Sequence, residues 1–190
     1  MMLIELLIPP TAPDEPAPSE LAERLLGAVT HAEGASPEED EAHRAIWQVL
    51  VRRTDAWLGG TVPHGNRYVV RIDFPAVMLS DEGRAHFYAR IADAFPGDAV
   101  SVYINPVAEG DFGTGGAAMR SADFVREMVA GEEERPAVPV EPGAASAVDP
   151  VCGMTVKLSE DAILLEHEGA VYAFCNSGCR EVFSERLAAA

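Results

Sequence analysis

Lysine is all but absent from these 190 residues: Lys157 is the only one, and every other fixed positive side chain is an arginine. Basic residues number 14 against 31 acidic ones, which leaves a formal net charge of −17. A surface of that sign repels a phosphate backbone and an anionic bilayer, so nucleic-acid binding and membrane docking are set aside. No apolar run reaches the roughly 18 residues of a spanning helix, so no membrane insertion is expected. Residues 1–10, MMLIELLIPP, carry Glu5 and lack the basic start of a secretory signal, and a cytoplasmic protein is the expectation. Aromatics make up only 7 % of the chain, but apolar residues at 48 % suffice for a packed core. Cysteine is missing from the first 151 residues and then occurs at Cys152, Cys175 and Cys179. An odd number of cysteines, all late in the chain, does not make a disulfide framework. Thiols kept reduced in a cytosol are free to bind metal, the alternative being three buried free thiols.

The segment GEEERPAVPVEPGAASAV (131–148) mixes acid, proline and small residues with no apolar period, and reads as an extended, solvated linker. It divides the chain into a body, 1–130, and a tail, 149–190. The tail is too small to bury much surface alone, and a structural metal would supply the missing stability. Within the body a pattern repeats. MLIELLI (2–8) reads as a strand, SELAERLLGAVTHA (19–32) as a helix capped by Ser19, and AIWQVLVRR (45–53) as a strand. Then RYVVRIDF (67–74) reads as a strand, SDEGRAHFYARIADAF (80–95) as a helix capped by Ser80, and AVSVYINPV (99–107) as a strand. SADFVREMVA (121–130) is a short helix or an extension towards the linker, while PPTAPDEPAPS (9–19) and SPEEDEAH (36–43) read as polar loops. Each half is β-α-β, which implies parallel pairing with a right-handed crossover. Two such units make a four-stranded sheet with both helices on one face, leaving the other face in need of cover.

The duplicated β-α-β, with an aromatic and a Gly-Gly pair after each second strand (Trp57 with Gly59 and Gly60, Phe112 in EGDFGTGG), resembles the tautomerase superfamily. The likeness is to the fused, double-length members related to macrophage migration inhibitory factor and 4-oxalocrotonate tautomerase, and it covers residues 2 to about 126. It implies a homotrimer, which would cover the open sheet faces, and an amino-terminal proline acting as general base. Here Met2 stands where that proline would be, so no catalytic residue is assigned and the resemblance implies a catalytically silent scaffold. Arg52, Arg53 and Arg71 could hold a carboxylate ligand, though ordinary surface arginine is the simpler reading. The histidines of the body show no shared ligand spacing.

In the tail, DPVCGM is a tight turn, AILLEHEGAVYAF (162–174) is a hairpin turning at Glu168 and Gly169, and NSGCREVFSERL (176–187) is a short amphipathic helix. Cys175 and Cys179, four apart where that helix starts, present their thiols on one face, and the helix N-terminus favours thiolate. A knuckle, a hairpin and a helix opening on a ligand pair form a treble-clef-like arrangement, with Asp149 in the first ligand place of the knuckle. DPVCGM, the Gly-X-X-Tyr of GAVY, FCNSGC and Phe183 together resemble the YHS domain, within the TRASH group of heavy-metal modules, over residues 149 to 187. Three thiolates suit Cu(I) or Hg(II), and a fourth ligand would give tetrahedral Zn(II). Asp149 is the first candidate for that fourth place, then His167, then Met154. The fold class expected is α+β/α/β: a duplicated β-α-β tautomerase-like sheet domain with a small YHS metal-binding domain. The function expected is copper or zinc handling, sensing or delivery, with a metal-transfer protein as partner. The rivals are a divergent tautomerase or isomerase regulated or stabilised by the metal module, and an interaction protein in which the module is purely structural.

Overall fold

The computed structural model describes residues 2–14, 16–31, 37–57, 67–130 and 135–189. They fall into two compact units, Met1–Val107 and Ala108–Ala190. The first runs β1 (Met2–Ile8), α1 (Pro18–Thr30), α2 (Pro37–Ala45), β2 (Trp47–Arg53), β3 (Arg67–Pro75), α3 (Asp81–Ala94) and β4 (Ala99–Val107). β1 pairs parallel with β2, β3 parallel with β4, and β1 antiparallel with β3, giving the order β2-β1-β3-β4. The duplicated parallel pairs are those the sequence pattern predicts. Period-2 alternation explains them: Met2, Ile4, Leu6 and Ile8 on β1 and Tyr68, Val70, Ile72 and Phe74 on β3 are buried. The register sets Ile4 opposite Ile72, so both rows share one face. Leu21 and Leu25 of α1 and Phe87 and Ile91 of α3 are buried with them, each Ile or Leu contributing about 2 kcal/mol. Trp47, Phe74 and Phe87 form an aromatic cluster with centroids 5.2–6.0 Å apart.

The opposite face of the sheet is mixed. Leu50 and Tyr103 are 43 % and 58 % exposed on it. Between them Glu5 lies 3.2 Å from Arg52 and 3.8 Å from Arg71, so these arginines are engaged within the sheet. Arg53 donates to the carbonyl of Ala12 at 2.8 Å.

Two local readings are corrected. The polar stretch at 36–43 contributes to a helix, α2: Pro37 occupies its first position, where a fixed φ and a missing N–H cost nothing. Arg44 pairs with Glu23, and the His31 ring hydrogen-bonds Asp40 at 2.8 Å, so polar side chains tie α2 to α1 in place of an apolar stripe. Helix α1 starts one residue before Ser19, with Pro18 in its first turn and Ala17 as the cap. Ser80 does cap α3, accepting the Gly83 N–H at 3.0 Å. Gly59, Gly60 and His64 lie outside the described residues.

The second unit holds β5 (Gly113–Thr114), β6 (Ala117–Ala118), α4 (Ser121–Met128), β7 (Ser146–Val148), β8 (Thr155–Lys157), β9 (Ile163–His167), β10 (Ala170–Phe174) and α5 (Ser177–Ala189). β5 with β6, β7 with β8, and β9 with β10 are antiparallel pairs. Glu168 and Gly169 make the β9–β10 turn at φ 52 and 80, as the sequence places it. One apolar cluster joins Ala122 and Val125 of α4 to Val151, Phe174, Cys179, Val182 and Phe183. Helix α4 therefore packs with the cysteine-bearing elements, whereas the sequence closes the body only at 130. The segment read as linker is also partly built in: Val140 donates to the carbonyl of Val171 at 2.7 Å, and Ser146–Val148 is a strand. An extended proline-rich chain has unpaired main-chain groups of its own, and the edge of β10 offers partners for them.

Candidate metal centre

Asp149 opens the knuckle between β7 and β8. Its own N–H donates to the carbonyl of Met154, and its carbonyl accepts from Gly153, both at 2.9 Å. This closes a tight turn in which Gly153 has φ 76. A side chain there would be strained by that dihedral, and its Cβ would lie 2.8 Å from the guanidinium of Arg135. The turn carries Cys152 outward from the buried Val151. Cys175 follows β10 directly, and Cys179 lies in the first turn of α5. Asn176, between them, accepts the Cys179 N–H through Oδ1 at 3.0 Å, the bond of an N-cap to the third helical residue.

These elements bring the three sulfurs together. Cys152 Sγ lies 3.4 Å from Cys175 Sγ, which lies 3.7 Å from Cys179 Sγ, and all three thiols are free. Adding an oxygen of Asp149, the four ligand atoms lie within 4.8 Å of one another. Sulfurs sharing one ion at about 2.3 Å sit roughly 4 Å apart, so the donor set fits a single metal with little movement. Cys179 is buried, and Cys152 and Cys175 are half-buried.

The carboxylate of Asp149 has no solvent exposure. Its Oδ1 accepts from the N–H groups of Val151 at 2.8 Å and Cys152 at 3.3 Å, and its Oδ2 from Cys175 at 2.8 Å. Burial raises its pKa and the charge on Cys152 adds to that, while the N–H groups of Cys175 and Val151 oppose it. Hydrogen bonding from Cys175, then from Cys179, lowers the pKa of Cys152. Cys152 in turn raises the pKa of Cys175, which the contact with Cys179 opposes, and Cys152 and Cys175 together raise that of Cys179.

Asn176 is a residue the sequence analysis did not single out. Its Nδ2 donates to Cys175 Sγ at 3.1 Å and to Cys179 Sγ at 3.5 Å, while the residue is 98 % buried (2 % exposed). The signal available was asparagine immediately before a helix, a preferred N-cap. Of the other fourth-ligand candidates, His167 is not part of the cluster, and Met154 is 57 % exposed. Gly178 sits where α5 meets the start of α4: a Cβ there would come 2.6 Å from the Ser121 carbonyl oxygen.

No helix among the described residues is long and apolar enough to cross a membrane. No protein-family profile matches the chain, and no curated protein matches it. Among solved structures the chain is similar to Pt0534 inactivated by 2-oxo-3-pentynoate, at 16 % identity, with 61 % of this chain and 94 % of that one covered and a TM-score of 0.48. It is similar to native fused 4-OT at 24 % identity, covering 61 % of this chain and 94 % of that one, with a TM-score of 0.47. A symmetric trimer of fused 4-OT is similar at 19 % identity, covering 60 % of this chain and 93 % of that one, with a TM-score of 0.43.

Proposed function

We propose that this protein binds a transition-metal ion, Cu(I) or Zn(II), through Cys152, Cys175 and Cys179, and serves in metal handling, sensing or delivery in the cytoplasm. The observation that carries this reading is the convergence of three free thiols, with successive Sγ–Sγ distances of 3.4 and 3.7 Å, from a knuckle and a helix start. The resemblance of residues 149–187 to the YHS domain, which includes all the cysteines of the chain, supports the same reading. Half-exposed Cys152 and Cys175 leave the sulfurs within reach of a metal-transfer protein. The sheet unit acts as a tautomerase-like scaffold without proton-transfer chemistry: the main-chain nitrogen of Met2 donates to the carbonyl of Ile46 at 2.7 Å, and the Met2 side chain is buried. It assembles as a homotrimer through the sheet face that carries Leu50 and Tyr103.

Anaerobic titration of the full chain with elemental analysis tests the metal reading. One ion per chain is expected. Each single Cys→Ser change should weaken binding by more than the ~10–100-fold that a merely supporting residue costs. Stoichiometric metal in the triple-serine variant would sink the proposal.

A further inference from the structure

Resting on that metal reading, we infer that Asp149 is a positioning residue rather than a ligand, and that the site takes a soft, thiophilic cation in a shell of three sulfurs, Cu(I) rather than Zn(II). An ionised carboxylate offers about four lone-pair positions. Three of those on Asp149 are filled by main-chain N–H groups, from Val151 and Cys152 on the knuckle and from Cys175 at the end of the hairpin. The two oxygens are thus held from two separate chain segments: Oδ1 is filled by two N–H groups, and drawing Oδ2 onto an ion strains the bond it accepts from Cys175. With Asp149 at 0 % exposure, no water replaces the lost partner.

Asn176 completes the picture from the other side, donating its amide hydrogens to the sulfurs of Cys175 and Cys179 and accepting the Cys179 N–H through its oxygen. Both polar side chains at the site serve to fix the sulfurs, in the way outer-sphere groups orient ligands elsewhere. His167 lies outside the cluster and the Met154 side chain is exposed, so with Asp149 held by its N–H partners the described residues around the sulfurs supply no fourth donor. A tetrahedral zinc ion would have to draw its fourth donor from solvent, whereas three thiolates alone satisfy a soft monovalent ion.

The test is X-ray absorption at the copper edge on the full chain loaded anaerobically with Cu(I) alone, beside the Asp149→Asn variant loaded the same way. Three sulfur scatterers and no oxygen or nitrogen are expected in the wild type. The variant should show the same shell with affinity lowered by about 10–100-fold, because its amide cannot accept from Cys175. An oxygen scatterer in the wild-type shell overturns the inference, and so does wild-type affinity in the variant. If Asp149→Asn does not fold, the wild-type shell decides alone. Failure of the wild type to take any ion is a separate outcome, since it removes the metal reading on which this rests.

Discussion

At Cys179 the fold places a thiol out of reach of solvent and against two others, and this fixes how the site must titrate. Cys152 has its pKa lowered by its sulfur neighbours, while Cys175 and Cys179 have theirs raised. A thiol whose pKa is raised above its ordinary value holds its proton at neutral pH, so an arriving ion must displace it. Uptake at pH 7 should therefore release about two protons per ion, and apparent affinity should fall as pH is lowered. Calorimetric titration in buffers of different ionisation enthalpy measures that number, and zero release would refute the holding of protons on Cys175 and Cys179. The cysteines were legible in the sequence because they are rare, and Asp149 because it stands in a knuckle. The reach of Asn176 to two sulfurs was not legible. It depends on how α5 is seated, and Gly178 is what lets that helix lie against the Ser121 carbonyl.

Helix α4 sets the size of the cysteine-bearing unit. Ala122 and Val125 pack into the same cluster as Phe174, Cys179, Val182 and Phe183. Arg126 also reaches Glu185 with two hydrogen bonds of 2.7 and 2.8 Å, but both side chains are about half exposed and such pairs add under ~1 kcal/mol. The apolar contact dominates: Val125→Ala should cost roughly 1–3 kcal/mol, between the ranges for Ile→Val and Leu→Ala. A fragment of residues 149–190 should accordingly melt well below one of residues 108–190, by near-ultraviolet circular dichroism in the presence of chelator. Equal melting would show that α4 is not part of the core. At this scale the strands were readable because period-2 alternation survives in MLIELLI and RYVVRIDF. The helix α2 was not, since an ion pair and a hydrogen bond rather than an apolar stripe hold it, and neither was the seating of Val140 on β10, which uses main-chain groups that any residue carries.

On the scale of the whole molecule, the sheet of the first unit has a buried face and a mixed one. A fragment of residues 1–107 should run as a trimer in light scattering, unaffected by chelator, because Leu50 and Tyr103 gain cover when three sheets close around an axis. A stable monomer would contradict the proposed assembly. The order β2-β1-β3-β4, with two parallel pairs meeting at an antiparallel seam, has one more consequence. In an oligomer of identical half-length chains every substitution appears at all equivalent positions at once. Here the two copies of the β-α-β are written separately in one chain, so a change on β2 leaves its counterpart on β4 untouched. Each half can thus drift in its own direction, one edge of the sheet refining a contact while the other keeps or loses a different one, without any break in the symmetry that relates whole chains.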